Sequence, residues 1–332
     1  MLMIWLQFVL CSAIISLAGI QLIRYGDAIA SRTGMTRSWI GMFLVASVTS
    51  LPELVTGLSS VTVAQAPDMA VGDVLGSCVF NLAILAAMDI GFRKSPLYSL
   101  ADHGHLISAG FGVILLATTA LILLLAQQHM LPTLAHVSLG SPLILGLYAL
   151  AMRAIYLAEK RRSAPGEEPD TSTPSLRTAL TGYSLASMVV VACGVWLPLI
   201  GVELARVMGW SNSLVGTMFV ALATSVPELA TTLAALRIGA IDLAIGSLLG
   251  SNLFDVLILA LDDVAYLPGA LYADVSGLHA ATALIACIMS GAVVVGLAYR
   301  PTRRVRHIGS WASLALVLLY LVNGLLQYLH SA

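Results

Sequence analysis

Charged side chains are scarce in this sequence: Asp, Glu, Lys and Arg together make up 10% of its 332 residues. Soluble domains carry about 25% charged residues, so the composition excludes a water-soluble fold. The net charge of −1 provides no basic surface for nucleic acid. Hydrophobic residues make up 59% of the chain and its mean hydropathy is +0.94, which indicates an integral membrane protein with little mass outside the bilayer.

Paired cysteines are also lacking. Cys11, Cys78, Cys193 and Cys287 are far apart, lie in apolar stretches and form no Cys-x-x-Cys pair. We therefore predict neither a disulfide framework nor a zinc site, and interpret these residues as small core hydrophobes. The first 23 residues contain no Lys or Arg. Since a cleaved signal peptide starts with positive charge, we predict a permanent span there.

Ten apolar segments approach the ~20 residues that a membrane helix needs. They form two sets of five, separated by a polar stretch at 159–175 that contains three prolines and is typical of a solvated linker. The predicted fold is all-α and integral to the membrane, with ten transmembrane helices as two inverted five-helix repeats over 1–157 and 177–332, joined by a cytoplasmic linker over 158–176. The predicted spans are 2–23, 38–60, 72–92, 106–126, 140–157, 177–200, 214–234, 242–262, 276–298 and 309–328.

The basic residues predict the orientation. If the N-terminus is outside and ten spans are threaded, 15 of the 16 Lys and Arg residues fall on the inner side and only Arg206 falls outside. Both termini are therefore expected to face away from the cytoplasm. An odd number of spans in each half places the second half upside down relative to the first.

Two motifs recur in the same order in both halves. The pattern A-x-x-T-S-x-P-E-L occupies 46–54 and 221–229, and the pattern G-x-x-L-G-S-x-x-F-[N/D] occupies 72–81 and 246–255. Inverted repeats with interrupted helices are typical of secondary transporters that bind their substrate near the midplane. Each motif proline removes a backbone N–H, which predicts a helix break and free carbonyl groups that a cation can bind. The GxxxG steps Gly72/Gly76 and Gly246/Gly250 predict close helix packing.

Glu53, Glu228 and Asp255 lie inside apolar segments. An intramembrane acid costs ~2.5–3.5 kcal/mol, and no Lys or Arg lies in these predicted helices to pair with them. Protons, metal ions or both must therefore neutralise them, unless they are protonated acids that hydrogen-bond for packing. The same motifs supply further oxygen atoms, from the side chain of Asn81 and from the hydroxyl or carbonyl groups of Thr49, Ser50, Ser77, Thr224, Ser225 and Ser251.

An oxygen-rich set suits hard cations such as calcium, which takes about 6–8 oxygen ligands, whereas softer metals prefer His or Cys. None of the seven histidines falls in a motif, and we interpret them as residues of span ends and loops. A further group of acids lies near the predicted span ends, where we expect water or headgroups to solvate them: Asp73, Asp89, Asp242, Asp262 and Asp263.

The paired motifs resemble the two alpha repeats of the sodium/calcium exchanger branch of the calcium/cation antiporter superfamily. This resemblance implies that Glu53 and Glu228 are shared ligands of calcium and sodium, and that the first and sixth spans slide across a fixed core. It also implies calcium ligation by backbone oxygens of Thr49 and Thr224, flanking sodium sites built with Ala46, Ala221, Ser77 and Ser251, and a central position faced by Asn81 and Asp255.

The chain departs from the family pattern at three motif positions. Val48 and Ala223 stand where the family usually has glycine, and these side chains could narrow the site. Cys78 stands where Asn is frequent, and the short linker leaves no room for a large calcium-sensing insert. The acidic positions are unchanged, but the coupling ion is open.

We expect a cation antiporter of the cell membrane, most consistent with sodium-driven calcium extrusion. It is expected to need no cofactor and to have as partners calcium, sodium or protons, and the lipid bilayer. The alternatives are a proton-coupled calcium/cation exchanger and, in another class, a non-transporting membrane scaffold or sensor. An intramembrane enzyme is a weaker alternative because no His-Glu-x-x-His or similar motif is present.

Overall fold

The computed structural model describes residues 1–32, 48–92, 95–160, 175–301, 305 and 309–331. Almost all regular structure in these ranges is helical, apart from a small hairpin of β1 (Thr133–Leu134) and β2 (Val137–Ser138). The helices are α1 (Leu2–Arg32), α2 (Leu51–Thr62), α3 (Pro67–Gly91), α4 (Leu97–Leu100), α5 (His105–Gln127), α6 (Gly140–Lys160), α7 (Leu176–Met208), α8 (Asn212–Leu214), a π-helix (Val215–Val220), α9 (Ala221–Thr224), α10 (Val226–Arg237), α11 (Ile241–Ala265), α12 (Leu271–Asp274), α13 (Leu278–Tyr299) and α14 (Trp311–Ser331).

Eight of these helices are long and apolar enough to cross a membrane, and the bent segment from Asn212 to Arg237 makes nine. Residues 38–47 of the predicted second span lie outside the described residues, so the count of ten stays a prediction. α1 and α7 run several residues further than predicted, to Arg32 and Met208. A helix can continue through charged residues beyond the bilayer because its backbone groups bond within the helix, so hydropathy underestimates its length.

The motif prolines interrupt the helices as predicted. Ser225 leaves the helical conformation (φ −88°, ψ 7°), and the chain bends by 43° before α10 begins with Pro227 in its first turn. Ser50 has nearly the same backbone conformation (φ −85°, ψ 12°), and Pro52 lies in the first turn of α2. Proline is tolerated there because the first N–H groups of a helix have no partner within it.

α3 and α11 form the centre of the protein and are the most buried of the spans. The glycines of α3 account for its close approach to the π-helix. A Cβ atom added to Gly76 would collide with the carbonyl oxygen of Thr217 and lie 2.8 Å from Cβ of Ala221. A Cβ atom on Gly72 would lie 3.2 Å from Cα of Gly216. The predicted close packing is therefore confirmed for this GxxxG step.

α1 and α7 pack along each other and cross the proline-started helices. A Cβ atom on Gly19 of α1 would lie 2.5 Å from Cγ of Pro227, and one on Gly194 of α7 would lie 2.8 Å from Cγ1 of Val55. Positions 19 and 194 differ by 175, which is also the offset of the first motif. Corresponding helices thus cross corresponding motif segments at a residue without a side chain.

Asp89, at the end of α3, is completely buried rather than solvated as predicted. It accepts hydrogen bonds from Leu97 N at 2.6 Å, Ser310 N at 2.8 Å and Ser313 Oγ at 2.7 Å. The carboxylate thus holds the starts of α4 and α14, which cover it and exclude water. α14 belongs to the other half of the chain.

Asp263, at the end of α11, repeats this arrangement 174 positions later. It accepts hydrogen bonds from Leu271 N at 2.9 Å, from Ser138 N at 2.9 Å and from Ser141 Oγ. It is also completely buried, so the prediction of a solvated carboxylate was wrong here too. Asp263 holds the starts of α12 and of α6, the last helix of the first half.

Two histidines also bridge the halves. His279 of α13 lies 3.0 Å from Oδ1 of Asp68 of α3, and His105 of α5 lies 3.1 Å from Oδ1 of Asp242 of α11. The interpretation of these histidines as ordinary residues of span ends missed their pairing. Asp242 follows Asp68 by 174 positions, and His279 follows His105 by 174 positions, so the two pairs occupy equivalent positions.

Candidate cation-binding site

The helix breaks bring the two motif glutamates into the protein interior. Glu53 and Glu228 each follow a proline in the first turn of α2 and α10, and each is 1% exposed. Asp255, on α11, is also 1% exposed. The charge of Glu228 interacts with those of Glu53 and Asp255, so the three carboxyl groups share one electrostatic environment.

A hydrogen-bonded chain joins the two motifs. The hydroxyl of Ser225 lies 3.1 Å from Oε1 of Glu53 and 3.0 Å from Oγ of Ser77, and it can donate its one proton to either oxygen. Thr49 Oγ1 lies 3.0 Å from Oγ of Ser251. Residues from four sequence segments predicted to form one site are therefore in direct contact.

Thr224, the repeat partner of Thr49, has a different partner. Its hydroxyl donates to Oδ1 of Asp73 at 3.0 Å and also lies 3.1 Å from the carbonyl oxygen of Val220. Asp73 is completely buried, so the prediction that water solvates it was wrong. The second half has Ser247 at the position equivalent to Asp73, so the bond between Thr224 and Asp73 has no counterpart at that position.

Asn81 and Asp255 lie beside a pair of residues from the second motif pattern. Asn81 Nδ2 donates to Oδ1 of Asn252 at 3.0 Å, and Asn252 Nδ2 donates to the carbonyl oxygen of Cys78 at 3.2 Å. The Cys78 thiol lies 4.0 Å from Oδ2 of Asp255. Cys78 is therefore part of the site, with a sulfhydryl where the family often has an amide.

Several oxygen atoms at this site are buried and have no hydrogen-bond partner. Burying a polar oxygen without a partner is costly, and a buried charge is more costly still. No Lys or Arg side chain pairs with these acids in the described part of the chain. The unpartnered oxygens are Ser50 Oγ, Glu53 Oε2, Asp73 Oδ2, Asn81 Oδ1, both carboxylate oxygens of Glu228 and Asp255 Oδ1.

Calcium takes about 6–8 oxygens from carboxylate, amide, hydroxyl and carbonyl groups, and this chemistry matches the oxygens at the site. Among the described residues, no three Asp, Glu, His or Cys side chains converge closely enough to form a metal cluster by themselves. A bound cation would therefore draw on the hydroxyl, amide and carbonyl oxygens as well as on the acids.

Two further predicted positions, Ala46 and Ala221, have different outcomes. Ala46 lies outside the described residues. Ala221 is completely buried, and its carbonyl oxygen accepts from Ser225 N at 3.1 Å and lies 3.2 Å from Thr224 Oγ1. This oxygen is therefore engaged by its own segment.

The residues that replace the family glycines face the crossing helices. Val48 packs with Leu22 of α1 and Ala186 of α7, and Ala223 packs in the larger cluster that α1 and α7 form with the π-helix. Their side chains thus pack against α1 and α7. The expectation that they could narrow the ion site is not supported by these contacts.

The fold and the site define a multi-pass membrane transporter for cations. The chain belongs to the sodium/calcium exchanger protein family, whose sequence pattern matches residues 3–158 and 179–329. This places it in the calcium/cation antiporter superfamily and confirms the resemblance inferred from the paired motifs.

Curated relatives share modest identity over most of the chain. CaxA of Alkalimonas amylolytica is 26% identical over 279 residues, which cover 81% of this chain and 83% of CaxA. The inner membrane protein YrbG of Escherichia coli K12 is 24% identical over 245 residues, which cover 70% of this chain and 71% of YrbG.

Solved structures show the same fold. The H+/Ca2+ exchanger CAX has a TM-score of 0.74 at 18% identity, covering 98% of this chain and 84% of CAX. The sodium-calcium exchanger NCX_Mj, soaked with sodium and strontium, has a TM-score of 0.64 at 21% identity, covering 97% of this chain and 98% of NCX_Mj.

Proposed function

We propose that this antiporter exchanges sodium for calcium and extrudes calcium from the cell by alternating access. The observation that carries the proposal is the burial of Glu53 and Glu228, one from each motif, with unpartnered carboxylate oxygens and no basic side chain beside them among the described residues. An exchangeable cation would relieve this charge. Motif hydroxyl and amide oxygens in contact with the acids support the same assignment.

Each site residue receives a role in this proposal. Glu53 and Glu228 ligate either calcium or sodium, the backbone oxygens of Thr49 and Thr224 complete the calcium site, and Asn81 and Asp255 face the central position. The flanking sodium sites use Ala46, Ala221, Ser77 and Ser251, and Ser50 and Ser225 supply further hydroxyl or carbonyl oxygens.

The acidic cluster also provides the coupling. With no ion bound, its charges repel one another in an environment without water, so the empty carrier is unfavourable in the intermediate between its two open states. One divalent ion or several monovalent ions lower that free energy. Because the protein reorients only when loaded, calcium efflux is linked to sodium entry.

The crossing of α1 and α7 over the motif segments supports alternating access. At these crossings Gly19 and Gly194 place backbone without a side chain against Pro227 and Val55. We propose that these two helices slide over the core formed around α3 and α11. Access to the site would then change from one membrane face to the other.

The second candidate is exchange of protons for calcium. It is favoured by buried carboxyl groups outside the two glutamate positions, of which Asp73 and Asp262 are completely buried and have unpartnered oxygens. Protons can neutralise such groups and can compete with calcium for shared ligands.

The deciding experiment is uptake of radioactive calcium into everted membrane vesicles under a sodium gradient or a pH gradient. Uptake driven by sodium at constant pH supports the first candidate, and uptake that follows the pH gradient without sodium supports the second. No flux under either gradient, with the protein present and folded, would contradict both and favour the scaffold.

We also propose that the protein resides in the cell membrane with both termini outside the cytoplasm. Fifteen of the 16 basic residues lie on the inner side in this arrangement. A fluorescent protein that matures only in the cytoplasm should stay dark when fused to either terminus. Fluorescence at one terminus would show a different number or direction of spans.

A further inference from the structure

Asp262 of α11 is a second kind of buried acid. It is completely buried, and neither of its carboxylate oxygens has a hydrogen-bond partner in the part of the chain that the structure describes. Its neighbour Asp263 differs in this respect, because Asp263 is held by the hydrogen bonds that fix α6 and α12. A structural role like that of Asp263 therefore does not account for Asp262.

The contact between Asp262 and Gly57 places Asp262 further along α2 than the proposed ion site. A Cβ atom on Gly57 of α2 would lie 2.6 Å from Oδ2 and 2.9 Å from Oδ1 of Asp262. Gly57 follows Glu53 by four residues and Asp262 follows Asp255 by seven, so each lies on the same helix face as the corresponding site acid. Asp262 thus lies in the α2–α11 contact, roughly 6 Å further along α2 than Glu53, at a rise of about 1.5 Å per residue.

Asp262 has no equivalent acid in the first half of the chain. The position equivalent to Asp262 in the first half is Met88 of α3, and the position equivalent to Gly57 in the second half is Thr232 of α10. One half therefore has a carboxylate packed on a glycine where the other has a thioether and a threonine. Asp262 is not a member of the paired ligand set.

Among the described residues, no Lys or Arg side chain forms an ion pair with Asp262. Asp73 of α3 and Tyr272 of α12 lie close enough to Asp262 for its negative charge to oppose ionisation of either group. His136 contacts the carbonyl oxygen of Val264 and faces Asp263. The remaining groups on neighbouring helices lie towards the ion site: Glu53 of α2, Glu228 of α10, Tyr148 of α6 and Asp255 of α11 itself.

The packing decides which cation could neutralise Asp262. A metal ion needs several oxygen ligands around it, whereas the backbone of Gly57 packs directly against this carboxyl group. A proton needs no such space. We propose that Asp262 is a proton-binding site, separate from the calcium ligands, whose protonation allows α2 and α11 to pack as they do.

The expected effect of this proton on transport rests on the proposed function. A proton lost from Asp262 leaves an uncompensated charge between α2 and α11, which opposes this packing and slows transport. Calcium bound at the motif acids does not compete for this proton. Transport is therefore expected to depend on pH even when calcium is saturating.

The first test measures protonation without transport. In purified protein, the infrared carbonyl band of a protonated carboxylic acid should be weaker in Asp262→Asn than in wild type and unchanged in the matched control Met88→Leu. If Asp262→Asn does not fold, Gly57→Ala replaces it and should shift the same band, because its Cβ atom meets the carboxyl group. A band unaffected by these changes would overturn the proposal.

The second test measures initial calcium uptake by proteoliposomes at saturating calcium over a pH series. Wild type and Met88→Leu should lose up to about tenfold in rate per pH unit once Asp262 deprotonates, and Asp262→Asn should give a nearly flat profile. The same profile in all three proteins would overturn the proposed effect on transport. If none of them transports calcium while the infrared band is lost in Asp262→Asn, the proton site stands and the antiporter function fails.

Discussion

Ser225 donates its hydroxyl to Oε1 of Glu53 at 3.1 Å, so a serine of the second motif holds a glutamate of the first. Ser225 and Glu53 are 172 residues apart in sequence. Each lies beside the proline break of its own motif, where the helix is interrupted. The paired motifs are therefore in direct contact, and we expect a change in either to affect an ion bound at the proposed site.

Loss of the charge on Glu228 should remove calcium transport. Both carboxylate oxygens of Glu228 are buried without a basic partner among the described residues, and Glu228→Gln removes the charge that a cation would bind while keeping the shape of the side chain. We expect calcium affinity to fall by more than about 100-fold, beyond the range seen for residues that only support a ligand. Radioactive calcium uptake and calorimetric calcium binding would measure this.

Glu203→Gln is the matched control for this prediction. Glu203 is an exposed glutamate of α7 that pairs with Arg206, outside the site. The Glu203→Gln variant should take up calcium at the wild-type rate. Normal calcium uptake by Glu228→Gln would show that Glu228 is not a ligand.

The bond between Asp73 and Thr224 should position the calcium site. Thr224→Val removes the hydroxyl that donates to Asp73, while Thr224→Ser keeps it. We expect the valine variant to lose about tenfold in calcium affinity, and the serine variant to stay close to wild type. Equal affinities in the two variants, measured by calcium titration, would show that this hydrogen bond has no part in binding.

The contact between α3 and the π-helix should not tolerate a side chain at position 76. Gly76→Ala would drive its methyl group into the Thr217 carbonyl and the Ala221 side chain, so we expect a loss of about 1–3 kcal/mol in stability. Thermal unfolding in detergent would detect it. Gly110→Ala on α5, where a Cβ atom meets nothing within 4 Å, should leave the melting temperature unchanged or higher.

The carboxylate of Asp263 should stabilise the junction between the halves. Asp263→Ala leaves the N–H groups of Ser138 and Leu271 without this partner, at a cost of roughly 1–3 kcal/mol for each buried group. The melting temperature should drop clearly. Asp274→Ala, at an exposed acid on neighbouring α12, serves as the control, and an equal effect in both variants would contradict the assigned role.

The motifs allowed much of the site to be predicted because they combine unusual residues with a fixed spacing. Glu53 and Glu228 stand out as acids in apolar segments, and the adjacent prolines indicate where the helices break. Both features depend on local sequence, and the structure bears out the breaks and the burial. The π-helix before Ala221 was not predicted, because its sequence is apolar like that of an ordinary span.

Asp73, Asp89 and Asp263 show where prediction from sequence failed. Distance from the middle of an apolar segment indicated exposure to water, but burial depends on which helix starts cover the segment end. These covering residues come from distant parts of the chain, as Ser310 does for Asp89. Asn252 was missed for a related reason: an amide in an apolar helix gives little signal until its partners Asn81 and Cys78 are known.

The hydrogen bonds of Asp89 and Asp263 affect whether the two halves of the chain can fold as separate fragments. Each carboxylate secures the last long helix of the opposite half, so neither half by itself contains all the groups that complete it. Two separately expressed fragments should therefore assemble only with each other.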